Sequence, residues 1–212
     1  MPKVKAQITI SLDGYMAGPN QSEQNPLGEG GEALHEWAVK LEAFNEMHGR
    51  EGGEGDENPS NAVLRPALTN LGAVVMGRNM FGPIRGPWPD EEWQGWWGDD
   101  PPFHCPVYVL THHPREAFEL ENGNSFHFVT GGIEVAMAEA KEAADDQDVS
   151  VGGASTLQQT IAAGLLDEIV VTQVPILLGD GERLFDHLAA AAVELVDVVR
   201  GREALHLTYR LD

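Results

Sequence analysis

Residues Val75–Met80 read VMGRNM and residues Val151–Thr156 read VGGAST. Each stretch is an apolar, β-type run that breaks into glycine with polar groups directly behind it. A strand that ends in glycine and passes into a helix start brings bare backbone N–H groups up to an anion. Two such turns in one chain, one carrying the fork of Arg78, point to a ligand with more than one phosphate. The expectation is a dinucleotide held along a sheet edge. The plainer alternatives are an ordinary strand-to-helix turn with a surface arginine at Gly77–Arg78, and a Ser/Thr helix cap at Ser155–Thr156. Neither stretch fits G-x-G-x-x-G, so the usual Rossmann fingerprint is absent.

Working outward, Val4–Ser11 alternates apolar and polar residues and predicts a strand. Leu12–Asn20 (LDGYMAGPN) is turn chemistry, and Gly28–Gly31 is a flexible stretch. Leu34, Trp37, Ala38, Leu41 and Phe44 fall at helical spacing and predict a helix over Ala33–Met47. Residues 49–60 read as a mobile loop, and Ala62–Leu71 as a second helix. Strands are expected at Ala73–Met76, Val107–Thr111, Phe126–Val129, Val149–Val151 and Glu168–Val174. Helices are expected at Ile133–Ala144 and Ser155–Ala163, with turns over Leu177–Phe185. Val193–Arg200 and Ala204–Arg210 face each other across Gly201–Glu203 as a terminal hairpin. Residues 82–103 form a long irregular segment with Trp88, Trp93, Trp96 and Trp97. These rings read as packing or an interface in preference to a substrate wall. With no repeat and no linker, the chain reads as one α/β domain, residues 1–212.

Composition excludes several classes. The formal charge of −21, from 34 acidic against 13 basic residues, argues against nucleic acid and anionic membranes as partners. It also gives weight to each arginine beside a glycine turn. The single cysteine, Cys105, allows no intrachain disulfide and no thiolate cluster. No run approaches the roughly 18 apolar residues of a membrane span, and the chain opens directly into a strand. A cytoplasmic setting is expected. In Val107–Arg115 (VYVLTHHPR), the Thr111-His112-His113 cluster and Arg115 are placed to grip a ribose phosphate. Adjacent His112 and His113 point in different directions and have no Cys or acidic partner at ligand spacing, so no metal is expected. No G-x-S-x-G elbow supports a hydrolase.

In order, SLDGYMAGPN, VMGRNMF, VYVLTHHP, VGGASTLQQ and DEIVVTQVPILLGDGERLF resemble the dihydrofolate reductase superfamily. More closely, they are similar to the bacterial branch related to the C-terminal reductase domain of the riboflavin-pathway deaminase-reductase. The resemblance spans almost the whole chain. It implies a dihydrofolate reductase-like three-layer fold, with a central mixed, mostly parallel sheet and a C-terminal antiparallel hairpin, and it implies NADPH. The implied cofactor contacts are Gly77, Arg78 and Asn79 after one strand and Thr111, His112 and Arg115 after the next. Gly152, Gly153, Ala154, Ser155 and Thr156 cradle the pyrophosphate, while Met16, Ala17 and Gly18 lie by the nicotinamide. Asp13 belongs to the same loop and is a candidate catalytic residue, as is Thr172, which lines the substrate cavity. Met80 stands where the family usually carries a hydroxyl residue. Glu36 is the candidate proton donor, with Glu32 second; their plainer reading is the solvated face of an amphipathic helix.

The function implied is an NADPH-dependent reductase of a small heterocyclic or carbonyl substrate, pterin- or pyrimidine-like. The alternatives are reduction of the 5-amino-6-ribosylaminopyrimidine of riboflavin synthesis and a non-catalytic nucleotide-binding dimer. The hairpin and the tryptophan segment make a homodimer the expected assembly.

Overall fold

In Val4–Ile10 (β1) every second residue is buried, as period-two alternation requires of a strand with one covered face. The computed structural model describes residues 2–48, 55, 58–90 and 92–211. They resolve into two units, Met1–Ala6 with Leu71–Leu166 and Gln7–Asn70 with Asp167–Asp212, and β1 contributes to both.

The second unit opens with β2 (Tyr15–Ala17), a single 3-10 turn at Gly31–Leu34 and four short helices. These are α1 (Glu36–Val39), α2 (Glu42–Met47), α3 (Ser60–Leu64) and α4 (Pro66–Thr69). The first unit then begins with β3 (Leu71–Gly77), α5 (Arg78–Phe81), β4 (Pro106–Leu110), β5 (Phe118–Glu119) and β6 (Ser125–Val129). It continues through α6 (Ile133–Ala144), β7 (Asp148–Gly152) and α7 (Ala154–Ala162). The chain returns to the second unit for β8 (Glu168–Gln173), β9 (Glu182–Arg183), β10 (Glu194–Arg200) and β11 (Leu205–Arg210).

In the first unit the strand order is β1-β7-β3-β4-β6-β5. All neighbours pair in parallel except β5 with β6. Ala73–Met76 are buried without interruption, the mark of a strand covered on both faces. Val74 and Met76 pack with Phe81, Val107, Val109 and Phe126 into one core. Helix α6 buries Ala136, Met137, Ala140 and Ala144, one face at helical spacing. Cys105 is buried in this core, which pushes its thiol up to about 12 and leaves it inert.

In the second unit the order is β10-β11-β8-β1, with β10, β11 and β8 antiparallel. Its core gathers Leu34, Trp37, Leu41, Leu64 and Val174. The fold is α/β, with a mixed, mostly parallel set of strands and the expected C-terminal antiparallel hairpin. No helix of the described residues is long and apolar enough to cross a membrane.

Four expectations shift. The single helix over Ala33–Met47 is broken, because Leu41 is extended (φ −79°, ψ 145°) and buried. The Ala43 N–H beyond it donates to Asn61 Oδ1 at 3.0 Å, a partner 18 residues away. The helix over Ala62–Leu71 starts earlier and divides at Pro66, which lacks the N–H to continue it. Leu12–Asn20 holds a short strand, β2, whose partner β9 lies far along the chain. The two-residue β5 was not anticipated at all. Most of the expected loop at 49–60 lies outside the described residues.

A buried polar chain crosses the second unit. Ser60 Oγ lies 2.8 Å from His206 Nε2, and Thr172 Oγ1 lies 2.9 Å from His206 Nδ1. All three residues are at most 2% exposed, and the Trp37 ring meets the imidazole edge-on at 5.0 Å. Burial holds the His206 pKa below 6.5. The unfolded chain therefore takes up this proton first as the pH falls. The stabilisation is full above 6.5 and is lost as pH falls towards the folded value. Urea unfolding is expected to show stability falling from pH 7 to pH 5, less steeply in His206→Gln. Equal slopes for the two proteins would remove His206 from the account.

Candidate functional site

Strands β7, β3 and β4 are adjacent and parallel, with Met76 opposite Gly152 and Gly77 opposite Leu110. Their C-terminal ends therefore lie level along one edge of the first unit. Gly77–Arg78, Thr111–His112 and Gly152–Thr156 all leave the sheet there, the place where α/β sheets bind ligands.

The two glycine turns touch. A Cβ on Gly77 would stand 2.8 Å from Thr156 Oγ1, and one on Gly152 would stand 2.5 Å from Met80 Sδ. Met80 thus fills the space over Gly152 that a larger residue would claim. Gly153 has φ 89°, a conformation that side chains rarely adopt. It begins α7, whose first closing bond runs from Leu157 N–H to Gly153 O (2.9 Å), with no side-chain cap. The Ser155 hydroxyl is exposed and accepts from Gln159 Nε2 at 3.1 Å, whereas Thr156 is buried. Such an uncapped helix start is suited to an anion.

Arg78 stands beside this cradle with Nε and Nη2 buried and without acceptors among the described residues. Its guanidinium lies 3.7 Å from the centre of the Trp88 ring. Burial first, and then the like charges of Arg85 and Arg115, lower its pKa. Arg115 donates to Trp93 O at 2.7 Å and lies 4.9–5.7 Å from the ring centres of Phe128, Trp88, Phe118 and Phe81. It is a fixed charge in an aromatic setting. The Thr111 hydroxyl is engaged with the backbone of His113, while His112 is exposed.

The tryptophan segment braces this edge. Trp93 Nε1 donates to Phe81 O (3.1 Å) and Trp96 Nε1 to Asn79 O (3.4 Å), capping the carbonyl end of the one-turn helix α5. Trp88 Nε1 donates to His113 O at 3.0 Å. The Asn79 side chain is exposed. The sequence reading passed over Arg85 and gave Trp88 no partner. The only signal was their closeness in the stretch Ile84–Trp88.

The remaining expected site residues belong to the second unit. Asp13 accepts from the Ser11 hydroxyl (2.6 Å) and from the N–H groups of Gly179 (2.7 Å) and Leu178 (3.1 Å). The Ser11 hydroxyl bond above all, with the backbone bonds, lowers its pKa to about 2. Asp13 is therefore an ionised clamp on the 178–179 turn. Met16 is half-buried and Ala17 buried in β2, and Gly18 N–H donates to Leu27 O at 2.8 Å. Glu36 and Glu32 are exposed, whereas Thr172 is fully buried with its hydroxyl against His206. Thr172 offers no surface to a substrate, contrary to its expected place in the cavity lining.

The family model of the RibD C-terminal domain matches residues 2–207. The chain belongs to that family. This is the domain that the chain's motifs resemble. No curated protein matches the chain. Among solved structures it is similar to a putative riboflavin biosynthesis protein from Shewanella sp. PV-4, at 20% identity over 98% of each chain, TM-score 0.64. It is also similar to a pyrimidine reductase-like protein from Corynebacterium diphtheriae, at 13% identity over 99% of this chain and 91% of that one, TM-score 0.55. A third likeness is to a diaminohydroxyphosphoribosylaminopyrimidine deaminase/5-amino-6-(5-phosphoribosylamino)uracil reductase from Thermotoga maritima. There the identity is 13% over 99% of this chain and 56% of that one, TM-score 0.53. At these identities the structures speak for the fold.

The Met80–Gly152 contact can be tested directly. Gly152→Ala is expected to destabilise the protein by about 1–3 kcal/mol through overpacking. Adding Met80→Ala should recover part of that loss, because the two sites couple. Additive losses in denaturant unfolding would show that Met80 does not press on Gly152.

Proposed function

We propose that this chain is an NADPH-dependent reductase that passes a hydride to a small heterocyclic or carbonyl substrate, pterin- or pyrimidine-like. The observation that carries this reading is the Arg78 guanidinium, whose buried Nε and Nη2 lack acceptors beside two touching glycine turns. A buried charged donor without a partner is costly, and a phosphate oxygen satisfies it with a charge-assisted bond. Membership of a reductase family makes a nicotinamide dinucleotide the fitting source of that phosphate.

In this reading Gly77, Arg78, Asn79 and Gly152–Thr156 hold the cofactor phosphates, and Thr111, His112 and Arg115 border the 2′-phosphate. Met16, Ala17 and Gly18 keep the nicotinamide-side role that the resemblance implies. The bound nicotinamide supplies the hydride; the chain's own residues bind, orient and provide a proton. Glu36, exposed and without a hydrogen bond among the described residues, supplies that proton directly or through a water. Asp13 is ionised and orders the turn at Leu178–Gly179. Within this class a ribosylaminopyrimidine of riboflavin synthesis is the favoured substrate, on family membership and the pyrimidine-reductase likeness.

We also propose that residues 1–212 act as one cytoplasmic domain and that two copies pair through β10. That strand is outermost in its unit's order, and Leu195, Val196 and Val198 are exposed along it, with Val193 just before it. An apolar edge of this kind invites a second strand. Val198→Lys is expected to shift a dimer to monomer in sedimentation velocity; a monomeric unmodified protein would dispose of the pairing.

Energy transfer from tryptophan to reduced nicotinamide measures binding, and loss of nicotinamide absorbance with a pyrimidine or pterin measures turnover. Saturable NADPH binding with turnover is expected. Arg78→Ala should weaken NADPH binding by about 1.5–3 kcal/mol, the range for a charged hydrogen bond. Unchanged affinity in that variant would sink the assignment, and binding without turnover would favour the non-catalytic nucleotide-binding protein.

A further inference from the structure

We propose that Asn122 is a self-modifying site. Its side-chain amide leaves as ammonia, and the acid left behind opens the contact between residues 99–104 and the turn joining β5 to β6. This modification is independent of the reductase reading.

Of the nine asparagines in the chain, Asn122 alone is followed by glycine. The attacking group in deamidation is the backbone nitrogen of the next residue, and glycine puts no side chain in its way. Gly123 is exposed, has φ 89°, and has open space where a Cβ would stand. The Asn124 N–H donates to Asn122 Oδ1 at 3.2 Å, and Asn124 Nδ2 donates to the same oxygen at 2.8 Å. The first of these bonds closes a ring that contains the Gly123 peptide, so Asn122 Cγ is folded back towards Gly123 N. Both bonds draw electron density from Cγ and make it the better electrophile.

The step balances with water as its one co-reactant. Gly123 N gives up its bond to Leu120 O (3.2 Å), loses its proton to hydroxide and bonds to Asn122 Cγ. The Cγ–Nδ2 bond breaks, and the amide nitrogen takes a proton from solvent and departs as ammonia. Water then opens the five-membered imide at either carbonyl, which leaves aspartate or isoaspartate.

The amide is the hub of a local network. Asn122 Nδ2 donates to Asp100 Oδ1 (2.9 Å) and Pro101 O (3.1 Å), and Asn122 O accepts from His104 Nδ1 at 3.0 Å. His104 has φ 50°, a left-handed conformation that persists only when its surroundings hold it. Phe103 meets Trp97 edge-on at 5.0 Å, and both pack on the core of the first unit. An ionised aspartate at 122 has no donor to offer. It sets a carboxylate against Asp100 and the Pro101 carbonyl in a chain already at −21. Asn124 Oδ1 is buried without a donor among the described residues, so the network is only partly satisfied from the start.

Peptide mapping by mass spectrometry of the full chain, aged at mildly alkaline pH, tests the site. The expected result is the amide-to-acid mass gain in the peptide carrying Asn122, split between aspartate and isoaspartate, with the other eight asparagines intact. The rate should rise with pH, because Gly123 N attacks without its proton. An intact Asn122 in the folded chain, under conditions that convert the free peptide Glu119–Ser125, overturns the proposal. Asn122→Asp is expected to lower the urea midpoint and to shift tryptophan emission to the red. Adding Asp100→Asn should recover part of both changes, since the two carboxylates repel. The aged chain compared with the fresh one gives the same readout if the variant does not fold. A midpoint and emission unchanged by conversion at 122 would overturn the opening of the contact.

Discussion

The parallel pairing of β3 with β7, in the register that sets Met76 opposite Gly152, is the constraint on which the site depends. Parallel neighbours end on the same edge, and β4 joins them with Leu110 opposite Gly77. Register is hard to slip here, because Ala73–Met76 are buried along their whole length between packed layers. Once it is set, Gly77 must meet Thr156 and Gly152 must meet Met80. The absence of side chains at those two positions lets the strand ends close together and leaves the uncapped start of α7 beside Arg78.

Charge follows from the same edge. In a chain of net charge −21, the proposed anion site has to be insulated from the protein's own carboxylates. Aromatic residues do this. Trp88 lies under Arg78, and Phe81, Trp88, Phe118 and Phe128 surround Arg115. Trp93 and Trp96 meanwhile cap α5, which is too short to hold itself by its own hydrogen bonds. The segment that looked irregular in sequence is the brace of the helix that carries Arg78. Its tryptophans pack, and through packing they orient.

The strands and long helices were legible because their patterns are local. Ile133–Ala144 has good helix formers on one apolar face, and its ends match the expectation. The hairpin of β10 and β11 is marked by a short polar turn between a valine-rich run and the alternating run Leu205–Arg210. Elements that depend on a distant partner were not legible. Leu41 breaks its helix because Asn61 takes over the Ala43 N–H, and β2 exists only because β9 lies beside it. Thr172 looked like a lining residue, but a pairing 34 positions away turned its hydroxyl onto His206. Asp13 looked like an acid, and three hydrogen bonds, two of them from the far turn at 178–179, make it an ionised clamp.

By itself the sequence determined the family, the α/β class and the identity of the glycine turns, since strand endings, helix starts and glycine are all written within a few residues. Tertiary structure alone decided which of those turns touch, which arginines lie against one tryptophan ring and which polar side chains are spent internally. Those outcomes rest on non-local pairing and on burial, which set the partners and protonation of Arg78, Asp13 and His206. No window of sequence around any one of these residues contains the groups that surround it.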